Sequence, residues 1–182
     1  MATTAKTLMG TYELDRAHST VHFAINHVGV STFRASFADV DARLTVEDDA
    51  IALVGRVNAE SVSIVEPAEF REHVVRGDDF FDADAFPEIT FRSTSVELDD
   101  DGAATVAGDL TIRGTSRPVT AHGTYQPPRE DPFGNVRTGL DLRVTIDRRG
   151  WQMDWQTPLP DGGDALGWDV EITAQLELVR AS

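Results

Sequence analysis

Few side chains in this sequence could do chemistry. Cys is absent, which removes a thiol nucleophile, a thiolate metal site and a disulfide framework. The five His residues are scattered, with no His-x-His pair, so no metal centre is expected. His18 and Ser19 are neighbours, but adjacent strand residues face opposite ways, so they make no nucleophile–base pair. Their expected task is to fix a turn at residues 15–19. There is no Gly-x-Ser-x-Gly elbow. These residue types argue against an enzyme and call for no cofactor. The catalytic alternative is an acid–base site with His18 or His27 as base and an Asp partner.

Apolar bulk, by contrast, stands at unusual places. Residues 78–96 read DDFFDADAFPEITFRSTSV. An acidic turn lifts Phe80 and Phe81. Pro87, with no N–H for a ladder, then marks the mouth of a strand. On that strand Ile89 and Phe91 share one face, and Thr90 and Arg92 the other. Residues 148–155 read RRGWQMDW, so Trp151, Met153 and Trp155 crowd one loop. A surface loop does not normally carry that much apolar bulk. Two readings stay open. The aromatics plug a core, or they line and cover an apolar tunnel, with Met153 adaptable and the Trp rings rigid.

Strands must position nearly all of these residues. Val21, Phe23 and Ile25 alternate with His22, Ala24 and Asn26, and His27 falls on the apolar face. Phe33, Ala35 and Phe37 share one parity, and Val40, Ala42, Leu44 and Val46 the other, which predicts a bulge near Ala38-Asp39. Residues 51–64 read as a third long strand with its own parity change. The spacing predicts one helix over residues 66–76, with Pro67 at its first position, Gly77 beyond its end, and Phe70 and Val74 on one side. Residues 127–135 read as a Pro- and Gly-rich loop. About eight long antiparallel strands result, an all-β chain in which two sheets share a core or one sheet closes on itself. Eight strands can close with room for one small ligand.

Composition sets the outer bounds. The 182 residues, 41 % of them apolar, suit a single domain over residues 11–182 behind a flexible leader at 1–10. A net charge of −15 repels nucleic acid and anionic membranes. No apolar run reaches the roughly 20 residues of a membrane span, and none resembles a signal-peptide core, so a cytoplasmic location is expected.

Four stretches, in order, resemble the YceI family of lipocalin-like, polyisoprenoid-binding proteins. They are YELDRAHSTVHFAINHVGVS, SVSIVEPAEFREHVVRGDDFFDADAFPEITFRST, GDLTIRGTSRPV and IDRRGWQMDWQTPLPDGG, and the resemblance runs from Tyr12 to Leu178. The helix departs from the family's Arg-Asp-x-His-Leu, reading Arg71-Glu72-His73-Val74-Val75. In the late loop Gly150 precedes Trp151 and Gln152 follows it, where the family often has an aromatic-Gly pair. The resemblance implies an eight-stranded antiparallel lipocalin-like barrel with one short helix in a connection, enclosing a hydrophobic tunnel, and a homodimer.

Val21, Phe23, Ile25 and Phe37 are then expected to line the tunnel from the first strands, and Phe80, Phe81 and Phe91 from the acidic block. Trp151, Met153 and Trp155 are expected to line it from the late loop. His27, Arg148 and Arg149 are the head-group candidates. Their alternatives are a core His satisfied by backbone and arginines paired with some of the 31 acidic residues. The ligand class is an isoprenoid, quinone or fatty-acyl-type molecule, held by a carrier, buffer or sensor. The acidic surface favours a neutral head over a free diphosphate, with screening limiting its reach to about 8 Å. The alternative is a plugged barrel serving as a structural or protein-interaction module.

Overall fold

The computed structural model describes residues 8–48 and 50–181. The alternating stretches form ten strand segments: β1 (Gly10–Leu14), β2 (Thr20–His27), β3 (Ser31–Phe37), β4 (Val40–Glu47), β5 (Ala50–Asn58), β6 (Glu88–Leu98), β7 (Ala103–Ile112), β8 (Thr115–Glu130), β9 (Val136–Asp147) and β10 (Leu166–Arg180). Hydrogen bonding follows the order β1-β4-β5-β6-β7-β8-β9-β10, and β10 returns to β1. β2 also lies along β10, and β3 along β2. So β1 and β2 are two halves of one strand, β3 and β4 two halves of the next, and the ten segments make a closed eight-stranded antiparallel barrel.

The two breaks have local causes. Between β1 and β2 the side chain of Ser19 takes over the ladder. Its Oγ accepts from Glu177 N at 2.9 Å and lies 3.3 Å from Glu177 O. His18 Nδ1 meets Asp15 Oδ2 at 3.0 Å. Ser19 and His18 thus serve separate partners, as a turn requires. Between β3 and β4, Ala38 N donates to Ser61 O and Asp39 N to Ser61 Oγ, so the bend predicted there is held from outside the strand.

Two expectations need correction. The strand read over residues 51–64 ends at Asn58, whose side chain caps a 3-10 turn at Ala59–Ser61. Val62 then bridges to Phe37. That turn is the physical source of the parity change. The loop read at 127–135 starts later, because β8 runs to Glu130 through an irregularity between Gln126 and Arg129. Of the leader read at 1–10, residues 1–7 lie outside the described residues. Leu8, however, is fully buried and Gly10 opens β1.

The helix α1 (Ala68–Arg76) forms where its spacing indicated, with Pro67 as N-cap and not first residue. Gly77 at its C-cap has φ −61°, so its role is not left-handed backbone. A Cβ there would lie 2.5 Å from His73 O and 2.7 Å from Asp79 Oδ1. Buried Val74 and Val75 pack α1 against Val57, Ile64, Phe80 and Ala83.

The two ends of the barrel differ. At one end Leu8, Tyr12, Leu44, Val106 and Leu178 are wholly buried in a continuous core. At the other, two apolar groups, one under α1 and one under the late loop, face each other across open space.

Candidate functional site

The open space is a cavity of about 560 Å³. That is within the roughly 300–1,000 Å³ of small-molecule pockets. Its walls are mostly the inward residues of the strands, so the alternation that builds the barrel also makes the cavity apolar, while Asp41, Arg56 and Thr90 border it from the other parity. Phe23, Phe81, Phe91, Val144 and Ile172 all line it yet stay only partly buried. Inward apolar side chains that keep accessible surface mark an interior that is not filled. A plugged barrel would have buried them.

The acidic block delivers two aromatics in two directions. Asp78 to Asp82 fold back onto the end of α1: Phe80 N donates to Gly77 O and Phe81 N to Val74 O. Asp82 takes left-handed backbone, φ 49°. Phe81 points among Phe23 and Phe37, with ring centroids 6.3 and 5.9 Å away. Phe80 stacks on Trp155 at 5.6 Å, tying the block to the late loop. His73 caps this pair, edge-on to Phe80 at 5.0 Å and bonded to Asp79 Oδ1 at 2.9 Å.

The structure brings together Val21, Phe23, Ile25, Phe37, Phe80, Phe81, Phe91, Met153 and Trp155 around the cavity. Trp151 does not join them. It is buried beside the cavity group, and its Nε1 donates to Leu110 O at 3.2 Å. Its indole N–H needs a partner once buried, and the β7 carbonyl supplies one. Leu110, Ile112, Val144, Ile146, Val170 and Ile172 line the cavity without having been singled out. Their alternation was plain, but nothing in it separates a wall from a filled core.

Arginine holds the late loop through its carbonyls. Arg148 is 2 % exposed and lies against the cavity. It donates to Met153 O, Trp155 O and Gly167 O at 2.6–2.8 Å, and more weakly to Leu166 O at 3.5 Å. Its guanidinium sits 4.3 Å from the Trp168 ring centroid. Burial lowers its pKa from the usual arginine value. Arg113 donates to Gln152 O and Arg117 to Gly150 O from outside. Arg149 is exposed and bonded to Asp147, with Nη2 to Oδ2 at 2.5 Å. So the donors of Arg148 go to backbone carbonyls and not to an acidic side chain, whereas Arg149 makes the ion pair.

His27 lines the cavity at its exposed rim, together with Ser31, Thr32, Arg34 and Phe70. These belong to the β2–β3 hairpin and to α1, so the mouth opens between them. Asp15, His18 and Glu177 bring possible metal-ligand atoms within 4.8 Å of one another. Arg137 already bridges two of them, with Nη1 at 2.7 Å from Asp15 and 2.6 Å from Glu177. This cluster is therefore an ion-pair network closing the seam of β1, β9 and β10. Among the described residues no helix is long and apolar enough to cross a membrane.

Comparison with known proteins matches this architecture. The YceI-like domain matches residues 12–178. A UPF0312 protein of Staphylococcus aureus (strain MSSA476) is 31% identical over 171 residues, 93% of this chain and 97% of its own. A UPF0312 protein of Yersinia pestis (strain Pestoides F) is 31% identical over 153 residues, 80% of this chain and 77% of its own. The fold is similar to that of Burkholderia cenocepacia BcnA, with TM-score 0.70 and 20% identity over 90% of this chain and 98% of that one. It is also similar to a polyisoprenoid binding domain from Saccharophagus degradans implicated in plant cell wall breakdown, with TM-score 0.62 and 13% identity over 93% of this chain and 98% of that one. With the barrel closed from β1 to β10 and the match spanning almost all of it, the chain belongs to the YceI-like domain family.

Proposed function

We propose that this protein binds the apolar chain of an isoprenoid, quinone or fatty-acyl-type amphiphile inside its barrel, as a carrier, buffer or sensor and not as an enzyme. The observation that carries this is the unfilled cavity of about 560 Å³ with almost wholly apolar walls. Each methylene moved into it from water contributes about 0.8 kcal/mol. Part of that gain is lost in ordering the chain. The polyisoprenoid-binding member of the same fold supports the ligand class.

The head group sits at the rim and is neutral or weakly polar. Arg148 spends its donors on backbone carbonyls, Arg149 pairs with Asp147, and Arg56 pairs with Asp39 and Glu88. A diphosphate would have to rely on Arg34, which donates to Thr32 O at 3.3 Å. His27 at the rim suits a single hydrogen bond to a carbonyl or hydroxyl. A cytoplasmic homodimer completes the proposal, and fractionation and light scattering test it.

The test is native mass spectrometry of freshly purified protein, with organic extraction of the same sample. A prenyl, quinone or acyl species at one per chain is expected. An empty protein that also fails to take up prenyl alcohols, quinones or fatty amides refutes the reading. A bound prenyl diphosphate refutes the neutral head alone.

A further inference from the structure

We infer that the β2–β3 hairpin and the start of α1 form a docking surface for a neutral, zwitterionic lipid bilayer, against which the barrel mouth loads and unloads its ligand. This rests on the lipid-binding reading and adds where the ligand comes from. Among the described residues the exposed large apolar side chains are Met9, Val30, Val65, Phe70 and Phe133. Three of these stand at the mouth. Val30, 85 % exposed, precedes Ser31 of the rim. Val65, 77 % exposed, follows Ile64 of the cavity wall. Phe70 is itself on the rim, its ring 5.9 Å from that of Phe33. Ser63 is bonded to Ser36, so the stretch leading to Val65 lies along β3, whose first residue follows Val30. The hairpin turn adds a further sign. Val28 takes left-handed backbone, φ 50°, beside Gly29 at φ 70°, and Val30 N donates to His27 O across the turn. A β-branched residue is strained there, and Asn or Gly would turn more easily. An apolar residue kept at a strained turn points to a task beyond the turn itself.

Charge selects the kind of surface. Residues 16–38 hold no Asp or Glu, the longest such run in a chain with 31 of them, and they hold two Arg and three His. That run contains β2, the hairpin and β3, so one side of the mouth lacks the acidity of the rest of the molecule. On the α1 side Glu66, Glu69 and Glu72 are exposed, and the whole chain carries −15. An anionic leaflet is therefore repelled, while apolar tips enter a neutral one unopposed. The β3 edge suits the same surface. Thr32 and Arg34 share the parity of Ser36, whose N–H and C=O point away from β2 to Ser63. Among the described residues no strand lies beside Thr32 and Arg34. Their edge groups and the Arg34 guanidinium are free to meet the carbonyls and phosphates of lipid head groups. Crossing through water would expose the ligand's whole apolar chain, and contact at the mouth avoids that.

The experiment follows transfer of a fluorescent acyl probe from the loaded full chain to phosphatidylcholine vesicles carrying a quencher, at rising vesicle concentration. The rate is expected to rise in proportion to vesicle concentration and to fall when phosphatidylglycerol is added to the vesicles. In the double variant Val30→Ser, Val65→Ser it should fall about fivefold or more. Neither valine lines the cavity, so the affinity for the probe should be unchanged. A rate independent of vesicle concentration means release through water; it overturns the docking surface and leaves the lipid-binding reading standing. Faster transfer to the anionic vesicles, or a rate unmoved by the double variant, also overturns it. If light scattering shows that this variant turns a dimer into a monomer with the rate unmoved, the face belongs to a second copy of the chain and not to a bilayer. Failure to take up the probe, geranylgeraniol or a quinone overturns both readings. If the double variant does not fold, the vesicle and lipid dependence of the wild type still decides.

Discussion

Arg148 and Arg149 are neighbours of the same type with opposite tasks, and their positions alone could not tell them apart. Arg149 is an exposed partner of Asp147. Arg148 is buried and gathers backbone carbonyls from both ends of the late loop. Carbonyls carry no sequence signature, so neither the head-group reading nor the ion-pair reading could foresee that arrangement. Removing a charged donor leaves buried carbonyls unsatisfied at about 1–3 kcal/mol each. Arg148→Met should therefore lower stability by about 3 kcal/mol or more and expose the loop to protease. Arg149→Ala should leave the urea midpoint unchanged. A second residue effect concerns acid. The Asp15 carboxyl is held down to about 2, chiefly by its hydrogen bond from Arg137 and then by His18. The same Arg137 lowers Asp131. Both carboxyls sit below their unfolded value near 3.9. Their stabilisation is therefore complete above that value and is lost as pH falls from about 4 towards 2. Urea midpoints measured across this window should fall steeply in the wild type and more gently in Arg137→Gln.

The strands were legible because each buries one face, and Val21, Phe23 and Ile25 show how plainly period two announces a wall. What escaped notice were places where side chains replace backbone pairing. Ser19 completing the β10 ladder is a polar residue whose partner lies far along the chain, and Asn58 caps its 3-10 turn through the N–H of Glu60, two residues on, inside a stretch whose alternation reads as strand. The extent of β8 escaped for a related reason, since Pro127 and Pro128 sit at the irregularity opposite β9. Two glycines separate elements that look alike in sequence. Gly77 joins α1 to the block carrying Phe80 and Phe81, and Gly77→Ala drives a Cβ into the His73 carbonyl. A loss of about 1–3 kcal/mol is expected, with weakened probe binding as Phe81 is displaced. Gly55→Ala enters open space and should leave thermal stability unchanged or slightly higher. Thermal melts of the two variants side by side check the contrast.

The barrel is sealed at the end built on Leu8, Tyr12 and Leu178, and open at the end under α1 and the late loop. Closure from β1 to β10 removes most sheet edges; β3 keeps one, covered only at its end by the Phe37–Val62 bridge and the bonds between Ser36 and Ser63. The aromatic stretches could be read as plug or as lining, and the choice between them depends on summed volumes across eight strands, which no single segment reveals. Most of the aromatics line the cavity, while Trp151 is packed beside it. The deciding measurement is isotope-filtered NMR on methyl-labelled protein with unlabelled geranylgeraniol. Contacts are predicted from the ligand chain to the methyls of Ile112, Val144, Ile146 and Ile172, which line the cavity. None is predicted to Leu44, Val46 or Leu178 in the sealed core. Contacts confined to the exposed Val30 and Val65, or no contacts at saturation, would contradict an interior binding site.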